Sequence, residues 1–285
     1  MMPFHTRSRH PHAGEDPSRP VSNFRWLRTS GGLSDLDPSL RWDDAVFSLV
    51  LLVLICLNFS SANAADVCPA ILIAADKLIL VTSDNPTKPT GIMRLFVRDA
   101  ATKAWSAEAG KPQAVVVGRK GLGWGWNFAS DTGGERVKHE GDGLTPLGFF
   151  PLGPEFGFGA SARPGYLQLQ PDKHVCVDDL GSPNYGTIVS RKTAGAKTSG
   201  EPMWKIKQYK HGMFVSYPPN VAVKSGSCIF LHIWKSPTSG TAGCIAMPEA
   251  PLLKMLEWTK TGKPVLGVLS PAGLKRFAAC LPGIN

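Results

Sequence analysis

From residue 65 onward the chain runs as short apolar stretches punctuated by Gly, Pro, Asn, Asp and Ser. The stretches KLILVTS (77–83), IMRLFVRD (92–99), QAVVVGR (113–119) and HVCVD (174–178) predict strands. So do TIVS (187–190), MFVSY (213–217), CIFLHIW (228–234) and PVLGVL (264–269). In CIFLHIW, alternation sends Ile229, Leu231 and Ile233 to one face and Cys228, Phe230, His232 and Trp234 to the other. Both faces are apolar except for the histidine, so a central strand is expected. One segment reads as a helix, PEAPLLKMLEWTKTG (248–262), with Leu252, Met255, Leu256 and Thr259 at i, i+3, i+4, i+7. Proline suits its first turn, Glu249 suits the positive end of the dipole, and Gly262 then Pro264 ends it. The section from Gly118 to Gly165 is long, rich in Gly, Pro and aromatics, and without clear period. It is expected to be a functional loop section on a rigid scaffold. The pattern predicts a mostly β domain with one main helix packed against it.

The N-terminal part has a different character. An apolar core from about Val46 to Leu57 is followed by Ala62-Asn63-Ala64, which predicts a signal peptide over 45–64 with cleavage after Ala64. The core is short for a membrane span, although an uncleaved anchor is the alternative. Residues 1–44 are polar and rich in Pro, Ser, Arg and Asp, and read as a disordered extension or a start codon assigned too far upstream. The remaining domain, 65–285, carries the whole net charge of +9, because residues 1–64 hold 6 basic and 6 acidic side chains. A basic exported protein fits an anionic envelope polymer better than nucleic acid. That domain holds five cysteines, Cys68, Cys176, Cys228, Cys244 and Cys280, so in an oxidising compartment one thiol is left over. If Cys244 is that thiol, the other four can form two bridges, and Cys68 with Cys280 would join the two ends of the domain. There is no C-x-x-C and no H-E-x-x-H, so no zinc motif.

The candidate chemistry lies in SCIFLHIWKSPTSGTAGCIAM, 227–247. His232 alone reads more readily as a satisfied core residue, and only the pair with Cys244 brings the catalytic reading level with it. Cys244 sits in a loop after Thr241-Ala242-Gly243, where a small neighbour allows close approach of a substrate and backbone N–H groups can face an oxyanion. A strand histidine feeding that turn is a candidate base for the thiol.

This segment resembles the active-site segment of the L,D-transpeptidase (YkuD-type) family, in which a strand histidine is followed by [S/T]-x-G-C. EGDGLTPLGFFPL is similar to the family's T-P-x-G segment at Thr145, Pro146 and Gly148. VDDLGSPNYG and SGEPMW resemble segments of one proteobacterial branch. The resemblance runs from about 113 to 270 and implies a β-sandwich with a helix after the cysteine.

It further implies Cys244 as nucleophile, His232 as base and Gly243 beside the oxyanion. Thr241, Thr145, Pro146, Gly148 and Tyr185 are implied at the substrate, with no metal or cofactor. The implied partner is the peptidoglycan stem peptide: the thiolate would attack the third, L-centre residue, expel terminal D-alanine and pass the acyl group to a second amine. Hydrolysis of the same acyl-enzyme, as in an L,D-carboxypeptidase or amidase, is the alternative. A non-catalytic basic wall-binding domain is a third reading. The chain departs from the family pattern at Ala242 and Ala246, where many members have His and Arg. Lys235, Arg119 and Lys138 are the basic candidates to replace that arginine. GWGWN (123–127) reads as a sugar-stacking platform or as packed turn aromatics. Asp178 and Asp179 read as loop or capping residues, because neighbours on a strand face opposite ways. Asn184 is a weaker candidate beside Tyr185. The oligomeric state is open.

Overall fold

The computed structural model describes residues 68–130 and 132–283. The extension expected over 1–44 and the signal segment expected over 45–64 lie outside the described residues. Eight strands form the frame: β1 (Lys77–Thr82), β2 (Thr90–Arg98), β3 (Gln113–Val116), β4 (Thr145–Gly157), β5 (His211–Val215), β6 (Phe230–Ile233), β7 (Ile245–Met247) and β8 (Pro264–Leu269). Their neighbour order is β1-β8-β4-β5-β6-β7-β3-β2, and β2 pairs β1 again. The expected sandwich is therefore replaced by one sheet closed on itself like a barrel. Closure satisfies the backbone groups that open edges would leave exposed. Pairing is antiparallel except for β1 with β8 and β6 with β7, which run parallel.

Near-continuous apolar runs suit strands buried on both faces. In β1, Leu78, Ile79, Leu80 and Val81 are all at most 1% exposed. The helix Glu249–Trp258 packs across β5 and β6 and buries Leu252, Met255 and Leu256. Each of these contributes about 1.5–3 kcal/mol of burial.

The 118–165 section is not the loop that its pattern predicts, because it contains β4, the longest strand, of 13 residues. Prolines at 146, 151 and 154 hide it from a strand reading. The strand tolerates them by changing partner along its length: 145–147 pairs a short strand at Leu122–Trp124, 148–151 pairs β8, and 152–157 pairs β5. No single ladder needs every N–H.

A separate sheet of three two-residue strands, Val175–Cys176, Ile188–Val189 and Glu201–Pro202, lies outside the ring. A disulfide from Cys176 to Cys228 ties it to the entrance of β6, and a second joins Cys68 to Cys280, as the position of the domain ends suggested.

Candidate active site

Strand β6 divides two cores. Ile229 and Leu231 enter the large cluster of the barrel, whereas Phe230 joins a second cluster with Phe156, Met203, Tyr209 and Cys244. Because β6 and β7 pair parallel with His232 opposite Ala246, Cys244 falls two residues earlier on the face that His232 shares. Both are nearly enclosed, with 8% of His232 and 4% of Cys244 exposed. They line one cleft of about 230 Å³ with Glu201, Tyr209, Lys235 and Thr241. A second cleft, about 110 Å³, also reaches Cys244 and is lined by Arg119, Lys138, Asp178 and Ser227. A larger groove of about 460 Å³ between β2 and the main helix holds neither thiol nor imidazole.

The sulfur sits in a polar cradle. Its S–H donates to the Cys228 carbonyl at 3.4 Å. Cys228 adopts φ 55°, a left-handed conformation that costs a β-carbon residue about 1–2 kcal/mol and here turns that carbonyl to the thiol. The loop below is braced by two threonines. Thr145 Oγ1 donates toward the Gly243 and Cys244 carbonyls at 2.8 and 3.2 Å and accepts from Gly118 N–H. Thr241 Oγ1 donates to the Cys244 carbonyl at 2.6 Å and accepts from Gly243 N–H.

His232 Nδ1 lies 2.7 Å from the Ile233 carbonyl, a contact that calls for hydrogen on Nδ1 and leaves a lone pair on Nε2. Burial pushes its pKa down to about 4, partly offset by that carbonyl. Burial pushes the Cys244 thiol up, and the Glu201 carboxylate adds to the shift. The Phe230 N–H, the Tyr209 hydroxyl and the Lys138 charge oppose it. Both shifts favour the uncharged forms, a neutral thiol and a neutral imidazole lining one cleft.

The family profile for the YkuD L,D-transpeptidase catalytic domain matches residues 89–266, well over half of the chain and spanning this site. The chain belongs to that family. No curated protein matches it. Among solved structures, it is similar to a point mutant of the helical cell shape determining protein Pgp2 from Campylobacter jejuni: 17% identity, 69% of this chain and 47% of that one, TM-score 0.37. It is also similar to Bd1075 of Bdellovibrio bacteriovorus: 14% identity, 72% of this chain and 54% of that one, TM-score 0.34. The chain thus spans about half the length of these structures.

In this YkuD domain the expected residues separate into groups. Cys244, His232 and Thr241 meet at the first cleft, and Gly243 lines the second. Thr145 reaches the cysteine only from beneath, as a fully buried brace. Pro146 and Gly148 lie in the barrel wall, where Gly148 (φ 137°) packs so tightly on the Phe128 ring that a Cβ would stand 2.4 Å from it. Tyr185 is buried and donates to Glu140 at 2.8 Å while accepting from Gly226 N–H, a staple between loops. Asn184 serves the same turn through its carbonyl, which accepts from Thr187.

Of the three basic candidates, Lys235 lines the first cleft and Arg119 and Lys138 the second. Lys138 is 2% exposed and paired with Asp142 at 2.7 Å. The GWGWN aromatics form no platform: Trp124 is 1% exposed with its N–H on Glu135, and the Trp126 N–H donates to the Pro218 carbonyl. Asp179 accepts from Gly181 N–H, a loop role, while Asp178 holds one buried oxygen without a hydrogen bond among the described residues. Sequence reasoning gave no role to Glu201 or Tyr209. Glu201 stands inside SGEPMW, so a signal was present for it; nothing local marks Tyr209. Among the described residues no cluster of His, Cys, Asp and Glu could hold a metal, and no helix is long and apolar enough to cross a membrane.

Proposed function

We propose that the chain is an exported, cysteine-dependent acyltransferase that forms L,D cross-links in peptidoglycan, with residues 65–285 as its catalytic domain. The observation that carries this reading is a free thiol and a neutral imidazole on one face of adjacent parallel strands, at a cysteine reached by two clefts. Cys244 Sγ gives its proton to His232 and bonds to the stem-peptide carbonyl carbon. The oxyanion falls to the Cys244 backbone N–H, because the Gly243 N–H is engaged by Thr241. Collapse breaks the amide bond, and the departing D-alanine amine takes the proton back from His232. A second amine then attacks the thioester, His232 takes its proton, and sulfur leaves and is reprotonated. Thr241 and Gly243 hold the loop, while Lys235 and Arg119 offer charge to the carboxylates of the two peptides. Thr145, Pro146, Gly148 and Tyr185 support the frame behind these groups rather than contact substrate. Two disulfides and the signal-like segment support export to the periplasm or envelope.

The test is product analysis with purified protein, a tetrapeptide donor and excess amine acceptor. Most of the acyl group should appear as the new amide. Cys244→Ala should abolish transfer, and His232→Ala should lower it at least ~10²-fold, the scale of a lost general base. Turnover by Cys244→Ala would sink the reading. Free tripeptide dominating at saturating acceptor would make the protein a carboxypeptidase instead.

A further inference from the structure

The groove between β2 and the main helix takes no part in the chemistry above, yet it holds about 460 Å³ against about 230 Å³ for the first cleft. That volume is typical of sites for organic ligands, roughly 300–1,000 Å³. Its floor is apolar. Met93, Phe96 and Met255 are at most 4% exposed, and Leu95 and Pro251 are half-buried. Three cations from three segments line it: Arg94 from β2, Lys111 from the loop after the short strand Trp105–Ala107, and Lys254 from the helix. None of the three has a side-chain hydrogen bond or ion pair among the described residues. The one acidic side chain of the lining, Glu108, is already held: Oε1 accepts from Ala109 N–H at 3.3 Å and Oε2 from Trp258 Nε1 at 3.0 Å.

We propose that this groove docks the chain on the surface of an anionic phospholipid membrane. Lipid phosphates meet Arg94, Lys111 and Lys254, and acyl-chain carbon lies over the floor. The proposal goes beyond the acyltransfer reading and does not rest on it.

Two features select a lipid over an acidic peptide. The floor side chains carry no hydrogen-bonding group, so a peptide laid on them would leave amides unmatched there, whereas hydrocarbon has none to match. The methionines are unbranched and adapt to a chain of variable shape. Second, Leu253 stands 42% exposed on the helix, three residues after Ala250 of the groove wall and one before Lys254. An exposed leucine among free cations suits an element lying in a membrane interface, with apolar side chains at the acyl boundary and Lys or Arg among the headgroups. Lysine and arginine stems bury their methylenes and keep the charge at the phosphates. Three basic side chains at an anionic surface together strengthen docking about a hundredfold, while charges more than about 10 Å away are screened.

The test is a footprint on the full chain, with vesicles of phosphatidylcholine alone or of phosphatidylcholine and phosphatidylglycerol in equal parts. Amide exchange over 108–113 and lysine acetylation are read by mass spectrometry. The mixed vesicles should slow exchange in that loop, and acetylation of Lys111 and Lys254, severalfold; the neutral ones should not. Both vesicles offer the apolar run at 46–57 the same hydrocarbon, so that run cannot produce the difference. Arg94→Gln, Lys111→Gln and Lys254→Gln together should weaken docking about a hundredfold and abolish the protection of the loop. Lys192→Gln, Lys197→Gln and Lys207→Gln, an equal charge change at exposed positions outside the groove, should leave it. Leu253→Ser, which changes no charge, should reduce it.

Equal loss in the two triple variants would mean attraction by bulk charge and overturns the proposal. So does equal protection by neutral vesicles, or none by either kind. Full protection in Leu253→Ser overturns it as well, because charge alone would then suffice. Protection by peptidoglycan fragments with none by vesicles would assign the groove to the wall polymer and sink the lipid assignment. Should the first triple variant fail to fold, Lys111→Gln with Lys254→Gln, both at exposed positions, decides in its place.

Discussion

Two side chains at the centre of this site, His232 and Cys244, are both held away from charge by burial. For His232 this has a consequence for stability. Its folded pKa of about 4 lies below the ordinary value of 6.5, so between those values the unfolded chain binds the proton that the folded chain refuses. Stability is then fully present above pH 6.5, falls as pH drops toward 4, and levels below it. The loss is roughly 3 kcal/mol at most. Denaturant unfolding of the native protein and His232→Gln from pH 7 to 4 should show the variant losing less stability over that window. Equal losses would mean that the imidazole is not neutral in the fold. The same residue illustrates what a local pattern carries. Alternation put His232 on the Phe230 face, and that face is where the thiol lies. Which groups surround the imidazole was not legible, because Tyr209 comes from another segment with no periodic signature.

Among the elements, the small sheet of Val175–Cys176, Ile188–Val189 and Glu201–Pro202 is the least self-sufficient part of the site. Two-residue strands are too short to stand alone, and their anchorage is the Cys176–Cys228 bridge. That bridge spans 52 residues and is worth up to about 4 kcal/mol in the chain-entropy model. Replacing both cysteines by serine should leave the barrel folded. Amide exchange by mass spectrometry should quicken over 175–202 while β1 and β8 keep their protection. Uniform quickening across the chain would show that the small sheet and the barrel unfold as one unit. Strand prediction succeeded for β1 and β8, whose runs are continuous and apolar. It failed for β4, because a strand with three successive partners can hold prolines that a single ladder would reject.

At the scale of the whole molecule, the ring of strands is stapled where its chain ends meet. The Cys68–Cys280 bridge spans 212 residues and contributes about 5 kcal/mol at most by restricting the unfolded chain. Cys68→Ser with Cys280→Ser should lower the unfolding free energy by several kcal/mol in denaturant titration, and the alkylation rate of Cys244 should stay unchanged. A changed rate would tie this staple to the site.

The sequence by itself determined the local chemistry: the mostly β character, the helix after the cysteine, the odd thiol, and the spacing of His232 from Cys244. These depend on neighbours along the chain, whose period and identity are written in order. Tertiary structure alone decided that the sheet closes rather than stacks, and that Thr145 braces the cysteine loop from beneath. It also decided that Glu201 and Tyr209 line the cleft that holds the thiol. The reason is physical: each of these depends on which distant segments pair, and pairing is selected by the packing of the whole sheet rather than by any pattern within one strand.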